Sequence, residues 1–125
     1  MKLLLDSHII VWWLDDDRQL APAIRAAISD PANHPFVSAA SVWELALKIA
    51  KGNLKLPDDY INRLRADGFT ELPVTIKHAV ASTRLPALHR DPFDRLLVAQ
   101  ALAEGLVLVT SDDILTRYDV PVLDA

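Results

Sequence analysis

The sequence predicts an α/β fold, a sandwich of helices on a central, mainly parallel sheet. Two short apolar runs, Lys2 to Leu5 and Leu106 to Thr110, show no polar alternation, as expected of strands covered on both faces. Between them, strand-like runs alternate with helical patterns, and parallel neighbours need such crossover helices. With 125 residues, 51% of them hydrophobic, the chain fits a single domain over 1–125 that can bury one real core.

The elements follow in order. Lys2 to Leu5 is the first strand and ends at Asp6. Ser7 then caps a helix to about Leu14, and Leu20 to Ser29 reads as a second helix with Pro22 tolerated in its first turn. Pro31 and Pro35 mark a loop before a second strand, Pro35 to Ser38. Ser41 to Lys51 is helical until Gly52 stops it, which completes one β-α-β-α unit. Pro57 opens a helix from about Asp58 to Ala66, and Thr70 to Pro73 is a third strand with a clear end and no defined partner. Thr75 caps a helix that stops before Pro86. Asp91 and Pro92 begin the best-defined helix, which runs to Glu104 and stops at Gly105. Beyond the strand Leu106 to Thr110, Ser111 and Asp112 start a short helical turn, and Val120 to Leu123 closes the sheet.

Composition narrows the function. No apolar run approaches the roughly 18 to 20 residues that span a bilayer, and MKLLLDSHIIVWWL meets an acid after three leucines, so neither a signal peptide nor a membrane helix is expected. The absence of cysteine removes disulfides, thiolate catalysis and cysteine zinc sites, which suits a reducing, cytoplasmic setting. A net charge of -4 argues against a protein that grips nucleic acid over its whole surface. A local basic patch remains open: Lys48, Lys51, Lys55, Arg63 and Arg65 put five cations into eighteen residues, though a solvated helical face explains them equally well.

Asp6 and Asp112 stand where sites form in parallel sheets, beyond the carboxyl ends of strands, and Asp94 and Glu44 are two further candidate acids. Asp6 lies between Leu3-Leu4-Leu5 and Ile9-Ile10 at a strand-to-helix junction, where a buried carboxylate needs partners. Its structural alternative is a helix cap favoured by the dipole. Asp94 shares a helical face with Leu97, Val98 and Ala101, which aims it toward the strand ends. Asp91 accounts for the cap of that helix and leaves the buried-face acid unexplained. Glu44 has a ready alternative in an i,i+4 pair with Lys48, and Asp112 in a turn or cap. Four carboxylates in one pocket repel each other by about several kcal/mol at modest dielectric. A hard divalent cation resolves that conflict, and all-oxygen ligation favours Mg²⁺ or Mn²⁺ over zinc.

The segments Leu3-Leu4-Leu5-Asp6-Ser7-His8, Ser41-Val42-Trp43-Glu44, His89 through Ala101 and Leu108-Val109-Thr110-Ser111-Asp112 closely resemble a PIN domain of the VapC toxin type. They occur in the family's order, and the third is the most specific. The resemblance implies a PIN-like three-layer α/β/α sandwich and a Mg²⁺-dependent endoribonuclease in which Mn²⁺ can substitute. Catalytic and metal-holding roles fall on Asp6, Glu44, Asp94 and Asp112, with Asp6 and Asp94 as principal ligands. An RNA substrate, a VapB-type antitoxin and a homodimer follow from the same resemblance. A hydroxyl residue beside the last acid belongs to the pattern, and Thr110 or Ser111 can supply it.

Several neighbours have structural readings. Asp91 is a cap and His89 a loop residue, while Arg95 can meet the scissile phosphate or pair with Asp91. His8, standing alone, is packed or paired rather than a ligand. Trp12 and Trp13 make the first helix apolar on more than one side, which core packing explains in part and a partner surface would complete. Two other readings carry testable differences. A PIN nuclease for RNA processing would lack an antitoxin, and a receiver-type phosphoacceptor would need paired acids after its first strand and a lysine after a late one.

Overall fold

The structure is a computed structural model that describes residues 1–125. Five strands, β1 (Lys2–Leu5), β2 (His34–Ser38), β3 (Thr70–Leu72), β4 (Val107–Thr110) and β5 (Val122–Asp124), form one sheet in the order β3-β2-β1-β4-β5. Every pairing is parallel, so the sheet is wholly rather than mainly parallel. The third strand finds its partner in β2 and forms one edge. Six α-helices supply the crossovers: α1 (Ser7–Leu14), α2 (Pro22–Ser29), α3 (Ala39–Ala50), α4 (Tyr60–Ala66), α5 (Ile76–Thr83) and α6 (Pro92–Glu104). A 3₁₀ turn, Leu115–Arg117, links β4 to β5.

The unbroken apolar strand β1 explains the layering. Leu3 and Leu5 point into a core with Ile9, Ile10, Ile24, Leu45 and Leu64 from α1 to α4. Leu4 points to the other face, against Leu97, Val98 and Ala101 of α6. Successive side chains of a strand face opposite ways, so three leucines in a row require cover on both sides. The result is the three-layer α/β/α sandwich.

The chain builds β1, β2 and β3 outward in one direction, then returns to place β4 on the opposite side of β1. Strand order therefore reverses between β1 and β4, and a crevice opens at their carboxyl ends. A receiver-type sheet of order 2-1-3-4-5 would flank β1 with β2 and β3. Here β4 takes that place, which removes the receiver reading.

Helix boundaries shift from the sequence expectations where caps decide them. Asp6, not Ser7, is the N-cap of α1: its Oδ1 accepts from the Ile9 amide at 3.0 Å, and Ser7 is the first helical residue. Helix α3 begins at Ala39 because Ser38 Oγ accepts from the Ala40 amide at 3.0 Å. Helices α2 and α4 start later than expected, at Pro22 and Tyr60. The best-defined helix matches at both ends. Asp91 accepts from Phe93 and Asp94, and Gly105 takes the left-handed conformation at φ 65° that favours glycine.

Much of the apolar surface of α1 is used within the chain. Trp13 packs edge-on against Phe69 at 5.7 Å between ring centres, donates its indole N–H to Asp67 at 2.9 Å and lies under the Arg25 guanidinium. Trp12 and Val11 pack half-buried at the core margin. No helix is long and apolar enough to cross a membrane.

Candidate metal centre at the ends of the central strands

The four acids come from four different elements, and the fold gives each its own anchor. Asp6 follows β1 directly and is 4% exposed. One oxygen caps Ile9, and the other accepts the hydroxyl of Thr110, the last residue of β4. The cap and the candidate site acid are thus the same residue, with different oxygens serving each contact. Of the two hydroxyl residues beside Asp112, Thr110 is the one engaged. It also accepts from the Asp112 amide at 3.0 Å and so ties Asp6 to the loop after β4.

Glu44 projects from α3 and is 8% exposed. Its Oε1 accepts from Ser7 Oγ at 2.8 Å, and its Oε2 lies 3.4 Å from Lys48 Nζ. The i,i+4 pair exists, but it uses one oxygen of a carboxylate otherwise turned into the protein. Ser7, the residue beside Asp6, fastens the second acid to the first strand end.

Asp94 and Asp112 meet at His89. The ring Nε2 lies 3.2 Å from Asp94 Oδ2 and 3.0 Å from Asp112 Oδ2, and single ligand atoms of the three residues lie within 4.8 Å of one another. His89 Nδ1 accepts from the Asp91 amide at 3.0 Å. A ring whose Nδ1 accepts carries its proton on Nε2, so His89 offers the acids a donor rather than a metal-binding lone pair. The loop residue of the sequence reading therefore belongs to the acid cluster. Its spacing from Asp94 gave no signal of this, because the contact depends on the turn that precedes α6.

Arg95 does neither thing expected of it. Its guanidinium donates to the carbonyls of Ser82, Leu85, Pro86 and His89 at 2.8 to 3.3 Å. It pins the α5–α6 connection and leaves Asp91 to cap α6. His8 is exposed, with its ring 6.5 Å from that of Trp12.

The acids also interact electrostatically. Burial, reinforced by the negative charges of Asp91, Glu44 and Asp6 and opposed by His89, pushes the Asp94 carboxyl up to about 7. Burial likewise raises Asp6, against the Thr110 hydroxyl and the Ile9 amide, and Asp112 adds to the rise. Asp112 ends below its ordinary value: burial acts to raise it, but the Ile114 amide, the His89 ring and the Leu115 amide favour its charged form. This donor set fits a hard divalent cation. It is rich in carboxylate oxygen, no arginine pairs with it, and burial together with the neighbouring negative charges holds the Asp94 carboxyl near 7, a rise that a bound cation would offset.

Wholly parallel sheet, switch-point crevice and converging acids define a class, and comparison with known proteins identifies it. The PIN domain matches residues 3–121. Over 122 residues, 95% of this chain and 93% of the relative, the sequence is 32% identical to Ribonuclease VapC22 of Mycobacterium tuberculosis. The chain belongs to the PIN-domain family, among its VapC-type members. The same fold occurs in VapBC2 from Rickettsia felis bound to a promoter DNA fragment, at a TM-score of 0.74 and 16% identity over 100% of this chain and 99% of that one. It recurs in a toxin-antitoxin complex from Klebsiella pneumoniae, at a TM-score of 0.67 and 18% identity over 97% and 95% of the two chains.

Proposed function

We propose that this chain is a metal-dependent endoribonuclease that acts as the toxin of a type II toxin-antitoxin pair. Asp6, Glu44, Asp94 and Asp112 hold Mg²⁺, for which Mn²⁺ can substitute. The observation that carries this reading is the convergence of Asp6 and Asp112, from the adjacent strand ends of β1 and β4, with Asp94 and Glu44 from facing helices. Whole-length similarity to a named ribonuclease supports it.

When bound, the cation supplies charge neutralisation at a phosphodiester and eases deprotonation of a water. The chain's own residues prepare the place for it. Ile9, Thr110 and Ser7 hold Asp6 and Glu44 in fixed orientations, and the His89 N–H holds Asp94 and Asp112 near each other. Such anchoring places the ligands before any cation arrives and limits reorganisation during reaction.

Two surfaces support the partner assignments. An apolar cleft of about 460 Å³ between α3, α4 and β3, lined by Val42, Ile61, Leu64, Phe69 and Leu72 among others, suits the apolar segment of an antitoxin. Ile76, Val80 and Leu102 stand exposed on α5 and α6, a face suited to a second copy in a homodimer. The same reading takes residues 1–125 as one PIN domain that works in the cytoplasm.

Purified protein should cleave cellular RNA in Mg²⁺ and stop in EDTA. Asp6→Asn and Asp94→Asn should each abolish cleavage. Wild-type rates in both variants would refute the site. An antitoxin encoded beside the gene should bind the protein and block cleavage, whereas an RNA-processing enzyme would show no such neighbour.

A further inference from the structure

A chemically different surface adjoins the acids, on α3 and the start of α6. Trp43 precedes Glu44 in the chain and is 62% exposed, the most exposed of the large aromatic side chains. It meets Phe93 nearly at right angles, 73° between planes and 5.3 Å between ring centres. That contact holds the indole in place without covering both of its faces. Beside it runs a cleft of about 500 Å³ lined by Lys48, Lys51, Asn53, Arg90, Phe93 and Glu44. Three cations thus line one cleft of a protein whose net charge is -4.

These cations are available to a ligand. Lys51 and Arg90 make no ion pair, and Lys48 shares only its 3.4 Å contact with Glu44. Asp91 also borders the cleft, but it is occupied in capping α6. An anchored aromatic face beside lysines and an arginine matches the chemistry of single-stranded nucleic acid binding: the ring stacks on an unpaired base while the cations follow the phosphates. A duplex keeps its bases stacked on each other and has none to offer. A second copy of this acidic chain fits less well, because lysines are depleted from protein interfaces.

We infer that Trp43 stacks on an unpaired base of the substrate while Lys48, Lys51 and Arg90 hold the neighbouring phosphates, which makes these four residues the ones that position the strand beside the acids. The inference rests on the ribonuclease reading and deepens it. Glu44 borders both the cleft and the acid cluster, so a strand bound here runs directly to the proposed metal centre.

The test measures fluorescence anisotropy of a labelled, unstructured RNA of about 12 nucleotides, and of the same sequence as a duplex, in EDTA so that binding is separated from cleavage. The single strand should bind more tightly than the duplex. Trp43→Ala should weaken single-strand binding about 5- to 100-fold, with Trp43→Phe retaining most of it and guarding against a folding defect. Lys51→Ala with Arg90→Ala should reduce the slope of log affinity against log salt by about 1.4. Unchanged binding by Trp43→Ala, or tighter binding of the duplex, overturns the inference. So does a change from dimer to monomer in Trp43→Ala with RNA affinity intact, which would make this face an interface between copies. Cleavage by the wild type in Mg²⁺ is scored separately, so that this surface and the ribonuclease reading can fail independently.

Discussion

The hydroxyl of Thr110 at the end of β4 donates to the carboxylate of Asp6 at the end of β1. This bond joins the two strand ends at the switch point and orients the most buried of the four acids. Thr110→Val keeps the shape and removes the donor, leaving a buried carboxylate oxygen without its partner at a cost of about 1 to 3 kcal/mol. The urea midpoint should fall accordingly, and Thr110→Ser should restore most of it. Equal midpoints for the valine and threonine forms would show that the bond contributes nothing.

Stability without metal should depend on Asp94. Its carboxyl titrates near pH 7 in the folded chain and near the ordinary 3.8 when unfolded. The folded state therefore holds the proton more strongly, and this contribution is full below about pH 4 and lost as pH rises through about 7. Metal-free protein should accordingly melt at lower temperature at pH 8 than at pH 5.5. Asp94→Asn should flatten that part of the profile and melt higher than wild type at pH 8. Added Mg²⁺ should raise the wild-type Tm most at pH 8, where the carboxylate is free of its proton.

Removing the His89 ring should act on Asp112 in the opposite sense. The ring helps to hold that carboxyl below its ordinary value, so in His89→Ala its pKa should rise, as carboxyl NMR titration would show. Because His89 presents an N–H rather than a lone pair, Mn²⁺ binding should survive in the variant, weakened about 10- to 100-fold as expected for a residue that orients ligands. Complete loss of Mn²⁺ binding would instead make His89 a ligand.

Arg95 should behave as a structural residue. Lysine cannot reproduce a guanidinium that reaches four carbonyls from one planar group. Arg95→Lys should lower unfolding free energy by about 2 to 3 kcal/mol, measured by chemical denaturation, and leave RNA affinity in EDTA unchanged. A large loss of affinity without loss of stability would return Arg95 to the substrate.

Local pattern was enough to read a good deal of this protein. The unbroken apolar strand β1 announced a sheet buried on both faces. Asp91, Pro92 and Gly105 marked both ends of α6, because caps and left-handed stops act within a few residues. Asp6 and Asp112 could be placed at strand ends on the same grounds. Glu44 was weaker: a contact with Lys48 explained it locally, and only its bond to Ser7 reveals the oxygen turned inward.

Element types, the two-sided burial of the central strands and the acids at their ends were all legible along the chain. Tertiary structure alone decided that β4 lies beside β1, that Thr110 reaches Asp6 across 104 positions of chain, and that His89 joins two acids while Arg95 faces away from them. The physical reason is range. Periodicity, caps and turns are encoded by neighbours along the chain, whereas strand order and side-chain convergence arise when distant segments bury their apolar faces together.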